Sequence, residues 1–118
     1  MSGIVFFKTQ KLDELKKFYL EEVECKIWMD QGDCIIFQNG NFLFGFCQRA
    51  EIDKCGIITF YYATQSEVDR FYEKFKETAT SSPAENKKYP IYHFFTFDPE
   101  GRMVEFQYFL NKTKEVIL

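Results

Sequence analysis

A chain of 118 residues, 46% hydrophobic and 28% charged, is long enough to bury a core without disulfide or metal staples. Its formal net charge of −3, with no basic stripe, argues against nucleic acid and anionic membranes as partners and favours a neutral or cationic ligand. Fifteen Phe and seven Tyr exceed what so small a core ordinarily uses, so some rings are expected to line a cavity or a subunit contact.

The first element is a short apolar strand, Gly3-Ile4-Val5-Phe6-Phe7, entered from Met1-Ser2 with no basic-then-apolar leader. From Thr9 to Val23, apolar residues recur at helical spacing (Leu12, Leu15, Phe18 or Tyr19) with charges between them, which predicts an amphipathic helix. Glu24 to Asp30 alternates, Cys25, Ile27 and Met29 against Lys26, Trp28 and Asp30, as a half-buried strand does. Cys34 to Phe37 and Phe42 to Cys47 flank Asn39-Gly40, a strong hairpin signal that as a two-residue turn would pair Ile35 with Phe44 and Phe37 with Phe42.

The second half repeats this order. Placing Gly56 on Gly3 sets Ile57 on Ile4, Ile58 on Val5, Phe60 on Phe7, Val68 on Leu15, Phe71 on Phe18 and Tyr72 on Tyr19. Ser66 is the expected N-cap of the second helix, whose core stripe is Val68, Phe71 or Tyr72, and Phe75. Thr78 to Tyr89, rich in Ser, Pro, Asn and Lys, reads as a mobile loop. The last hairpin, Phe94 to Phe109, reverses at Asp98-Pro99-Glu100-Gly101, where Pro fixes φ at the second position and Gly admits a positive φ at the fourth. After it Val104, Phe106, Tyr108 and Leu110 form a core face, and Met103, Glu105, Gln107 and Phe109 a mixed one.

The fold expected is α+β: two βαβββ modules, at about residues 2–49 and 55–110 of one domain, forming curved mixed sheets around a cleft, with a tail at 111–118. The Val116-Ile117-Leu118 ending either packs on a partner subunit or is loose. No apolar run approaches membrane-spanning length, so a cytoplasmic protein is expected. The four cysteines, Cys25, Cys34, Cys47 and Cys55, lack the close pairing of zinc or redox sites and are expected as reduced thiols in or near the core.

The doubled βαβββ unit, ending in a D-P-[DE]-G turn followed four residues later by Glu105, resembles the vicinal oxygen chelate superfamily over about residues 2–110. That group includes glyoxalase I, extradiol dioxygenases, methylmalonyl-CoA epimerase, fosfomycin-resistance transferases and bleomycin-resistance binding proteins. In its metal-using members, ligands come from the first and last strands of each unit and meet in a cleft. The resemblance carries those positions onto Ile4, Phe44, Ile57 (or Ile58, one residue on) and Glu105. Of these, Glu105 alone offers a donor atom, whereas Zn²⁺, Fe²⁺ and Ni²⁺ need about three or four N, O or S ligands. No cofactor is expected.

By the same mapping the cleft wall would take in Phe6, Phe44, Phe46, Thr59, Tyr61, Met103, Glu105 and Gln107, with the Phe42, Phe44 and Phe46 series becoming core if the cleft is closed. His93, the only histidine, faces the cleft beside Gln107 if the last turn carries a bulge at Gly101 and the helix side if it does not. Trp28 is either a shield over the sheet edge or a stacking platform for a planar ligand. The function expected is metal-independent binding of an aromatic or cationic small molecule by a homodimer, with Glu105 as anchor or possible base. The alternatives are a lyase, isomerase or dioxygenase of the same superfamily, and an aromatic interaction module with no ligand pocket.

Overall fold

The structure is a computed structural model that describes residues 2–114; the expected apolar ending Val116-Ile117-Leu118 lies outside them. Among the described residues the chain divides into two compact units, one running to Cys55 and taking in Asp98–Gly101, the other comprising Gly56–Phe97 and residues 102–114.

In the first unit, β1 (Ile4–Thr9), β2 (Lys26–Asp30), β3 (Cys34–Asn39) and β4 (Phe42–Gln48) form one mixed sheet in the order β1-β4-β3-β2, with β1 parallel to β4. Helix α1 (Leu12–Lys17) carries Asp13 and Glu14 in its first turn and Lys16 and Lys17 in its last, matching the helix dipole. It runs on as a π-helical turn, Phe18–Glu22, in which the Val23 amide donates to the Phe18 carbonyl at 3.0 Å. The wider turn buries Phe18, Tyr19 and Val23 together, and Glu24, with φ of 67°, ends it. Tyr19 packs on Phe37, Phe44 and Phe46 with ring centroids 5.7, 5.3 and 5.1 Å away. This aromatic cluster is the core of the unit.

In the second unit, β5 (Ile57–Tyr62), β6 (Ala84–Asn86), β7 (Ile91–Phe97) and β8 (Met103–Phe109) form the order β5-β8-β7-β6, with β5 parallel to β8. Helix α2 spans Gln65–Phe75, and Thr64 caps it, its hydroxyl accepting from the Glu67 amide. The expected cap, Ser66, lies inside the first turn, because the helix starts two residues earlier than its apolar stripe implies. Phe106 is the hub of this core: Phe60, Phe71, Phe75 and Phe94 have centroids 5.8, 4.7, 5.4 and 5.2 Å from it. The fold is thus α+β, two four-stranded mixed sheets each with a helix.

Four local readings are corrected. Residues 78–89, expected as a mobile loop, hold a short edge strand, β6, paired with β7 through Ala84↔His93 and Asn86↔Ile91. A bulge lies between Ile27, opposite Phe37, and Met29, opposite Ile36, so those two side chains fall on different faces and Trp28 stands exposed in the irregularity. The β3–β4 turn pairs Asn39 with Phe42, which sets Ile35 opposite Phe46 and Phe37 opposite Phe44. Cys34 and Cys47, directly opposed on β3 and β4, form a disulfide rather than two thiols; Cys25 is buried and free, Cys55 exposed and free.

The Asp98-Pro99-Glu100-Gly101 turn is built from buried acids. Asp98 accepts from the Glu100 amide at 2.8 Å and from the Tyr19 hydroxyl at 2.9 Å. Glu100 accepts from the Gln10 amide at 3.0 Å and from the Thr9 hydroxyl, which in turn accepts from the Lys11 amide at 2.9 Å. Gly101 takes φ of 83°, a value open to glycine at little cost.

Candidate functional site

The turn between β7 and β8 sets the register on which the site depends. Phe97 pairs with Met103, leaving five residues between the strands, whereas the matching pair in the first unit, Gln38 and Leu43, encloses four. The extra residue puts His93 opposite Gln107 and Phe95 opposite Glu105, so all four share the sheet face turned away from α2 with Thr59, Tyr61 and Met103. Of the two faces open to His93 from the sequence, the structure selects this one.

On that face Glu105 is only 7% exposed. One carboxylate oxygen accepts from the Thr59 hydroxyl at 2.8 Å, and the other lies 2.6 Å from His93 Nδ1. A ring nitrogen and a carboxylate oxygen at that distance share a hydrogen bond, and in the tautomer whose Nδ1–H donates to Glu105 the ring presents Nε2 as an acceptor. Phe95 packs edge-on against the imidazole, ring centroids 5.1 Å apart, and fixes its plane. Each carboxylate oxygen keeps a lone pair in reserve, so the cluster can take a hydrogen-bond donor or a cation while its own geometry is held. Tyr61 and Phe109, 5.5 Å apart edge to face, continue the face toward the strand ends. There a concavity of about 350 Å³ is lined by Tyr61, Tyr62, Tyr108, Phe109 and Lys112 among others; Glu105 and His93 are not part of its lining.

The structure thus brings Thr59, Tyr61, His93, Met103, Glu105 and Gln107 onto one sheet face. The other expected wall residues belong to the first unit. Phe44 and Phe46, expected on the open face, lie instead beneath Tyr19 on the helix side and are fully buried. Phe6 is 48% exposed on the opposite face, and Trp28 is exposed in the β2 bulge. Phe95 was missed by sequence reasoning; counting back from Glu105 through a five-residue loop finds it.

The same extra residue corrects the carried-over ligand position. Thr59 pairs with Glu105 as Phe6 pairs with Gly45, so the counterpart of Glu105 in the first unit is Gly45 rather than Phe44. A Cβ at Gly45 would stand 2.7 Å from the Phe6 ring, which lies over the glycine. The matched positions are therefore Ile4 and Gly45 in one unit and Ile57 and Glu105 in the other, with a single oxygen-bearing side chain among them. That donor set does not fit the divalent ion of the metal-using enzymes. Among the described residues, no three His, Cys, Asp or Glu side chains are grouped to hold a metal ion.

Burial pushes the Cys25 thiol up to about 12, against a smaller opposing effect of the Asn39 amide. Tyr92, on the helix side of β7, is also pushed up to about 12, by burial and then by its hydrogen bond to Asp69. No helix among the described residues is long and apolar enough to cross a membrane.

No protein-family model matches the sequence, and no curated protein is recognisably similar to it. Solved structures do resemble it. A glyoxalase/bleomycin resistance protein/dioxygenase from Nocardioides superposes with a TM-score of 0.74 at 15% identity, over 100% of this chain and 89% of that one. The lactoylglutathione lyase of Agrobacterium tumefaciens gives 0.73 at 17% identity, over 92% of each chain. A glyoxalase/bleomycin resistance protein/dioxygenase family enzyme from Burkholderia phytofirmans gives 0.76 at 16%, over 89% and 95%. The chain therefore has the α+β fold of the glyoxalase, bleomycin-resistance and dioxygenase proteins, the vicinal oxygen chelate fold.

Proposed function

We propose that the protein binds a small molecule carrying an aromatic ring and a cationic or hydrogen-bond-donating group, without a metal, at the sheet face that bears Glu105. The observation that carries this reading is the buried Glu105 carboxylate, held by Thr59 and His93 on a face whose other members are mostly rings and apolar side chains, with Gln107 beside them. A few oriented polar groups among apolar walls is the usual composition of a small-molecule site, and burial by the rings supplies affinity while Glu105 and His93 set orientation. Metal independence is supported by the chemistry of Ile4, Gly45 and Ile57, whose side chains hold no donor atom. The reading includes a cytoplasmic location and a homodimer, the dimer supported by the exposed apolar run Ile4, Val5 and Phe6 on the edge strand β1.

The test is a panel of cationic aromatic compounds scored by thermal shift. Saturable stabilisation by at least one compound, weakened tenfold or more by Glu105→Ala, is expected. No stabilisation by any compound, or stoichiometric Zn, Fe, Ni or Mn in protein purified without chelator, would overturn it.

A second reading is favoured by the 2.6 Å His93–Glu105 contact: a carboxylate that orients an imidazole makes Nε2 a general base for proton abstraction. It requires turnover that both His93→Ala and Glu105→Gln abolish while ligand binding survives the histidine change.

A further inference from the structure

The first unit holds a covalent feature that ligand binding leaves unused, the bridge between Cys34 and Cys47. We propose that this bridge is a reversible thiol-exchange site, opened by low-molecular-weight thiols.

The two cysteines are directly opposed across β3 and β4, with Cα atoms 4.0 Å apart, on the face turned away from α1. They differ in access. Cys34 is 9% exposed, whereas Cys47 is half-buried, so Cys47 is the more open of the two to an incoming nucleophile. They differ also in electrostatics. Arg49 Nη2 lies 3.8 Å from Cys34 Sγ, and its guanidinium is held there by Asp33 at 3.1 Å and by the Gln48 carbonyl at 2.7 Å. A cation at that sulfur stabilises the thiolate and makes Cys34 the better leaving group. The sulfur that is open to attack and the sulfur that is equipped to leave are therefore different atoms of the same bond. Lys8 stands opposite Cys47 on β1, and with Arg49, Ala50 and Glu51 it lines a concavity of about 250 Å³ whose lining does not include the two cysteines.

The exchange balances as follows. A thiolate RS⁻ attacks Cys47 Sγ; a Cys47–SR bond forms and the Cys47–Cys34 bond breaks, its electron pair leaving on Cys34 beside Arg49. A second thiol attacks the R-side sulfur, releasing Cys47 and the disulfide RSSR. Two electrons and two protons pass from two RSH to the protein, which ends as the dithiol. The hairpin survives, because its ladder from Cys34↔Cys47 to Asn39↔Phe42 and its tight turn are independent of the bridge. Reversible opening rests on the cytoplasmic location proposed above: a disulfide in that reducing compartment is ordinarily transient and redox-sensing.

The experiment uses the full chain purified without reductant, titrated with 2-mercaptoethanol, quenched in acid and read by intact mass and peptide mapping. The expected results are a gain of two hydrogens on full reduction, a transient adduct mapping to Cys47, and a still-cooperative melt at lower Tm in the reduced protein. In Arg49→Gln, which keeps both cysteines and changes an exposed residue, opening slows several-fold. Four free thiols in air-exposed protein would overturn the proposal. So would a bridge that opens only under denaturing conditions, an adduct mapping to Cys34, or an Arg49→Gln rate equal to wild type.

Discussion

A carboxylate at mid-strand among rings is costly unless its oxygens are occupied, and those of Glu105 are, by Thr59 and His93. Removing the imidazole leaves one oxygen of a largely buried acid without that partner, so His93→Ala should destabilise the protein by about 1.5–3 kcal/mol, measured by urea unfolding. Thr59→Val, which takes the hydroxyl from the other oxygen of the same carboxylate, should cost a comparable amount, about 1.5–3 kcal/mol, by the same measurement. The cysteines offer a separate check. Cys25 keeps its proton in the fold up to about pH 12, while an unfolded thiol ionises near 9.0. The folded state therefore binds the proton more tightly: the stability Cys25 lends is full below pH 9 and is lost as pH rises from 9 toward 12. Cys25→Ala should flatten that alkaline decline relative to wild type in denaturant titrations. In native, unreduced protein, iodoacetamide should modify the exposed Cys55 and leave Cys25 untouched, as peptide mapping would show.

At the scale of elements, the seat of the Asp98–Gly101 turn decides where Glu105 points, since the length of that turn sets the β8 register. Tyr19→Phe deletes the hydroxyl that Asp98 accepts from and should cost about 1–3 kcal/mol, read as a lowered denaturation midpoint with unchanged slope. Phe106→Ala, at the ring hub beneath α2, should cost more, about 3–5 kcal/mol. Apart from the short strand β6, element types and order were legible in the sequence because periodicity and turn residues state them directly: Leu12, Leu15 and Phe18 on one helix stripe, Val104 and Phe106 on one strand face. Faces were legible only where the register was. Aligning Gly40 with Gly101 ignored the single extra residue in the second turn, and in a structure of period two that slip moves the assignment from Gly45 to Phe44 and from the open face to the core. The β2 bulge did the same to Met29. The disulfide was illegible for a related reason: cysteines far apart in sequence become neighbours only when the hairpin register places Cys34 opposite Cys47.

For the whole molecule, the abundance of aromatic residues has a plainer origin than expected from composition. Most of the rings serve two helix-covered cores, the Tyr19 cluster in one unit and the Phe106 cluster in the other, and Tyr61, Phe95 and Phe109 flank the polar cluster. One strand–helix plan used twice has diverged chemically: the second copy carries an acid, a hydroxyl and an imidazole where the first carries Gly45, Phe6 and the disulfide face. A ligand that binds only the folded state raises its stability with concentration, by about 2.7 kcal/mol at a hundred times Kd, so binding and stability can be followed together. The chain's single histidine makes the decisive measurement simple, because one set of imidazole resonances reports on the cluster. Those resonances should move saturably when a cationic aromatic compound is titrated into the protein, and the same titration of Glu105→Ala should leave them in place. A full panel that never shifts the His93 signals, or a Glu105→Ala protein that binds as tightly as wild type, would contradict the assignment of this face as the binding site.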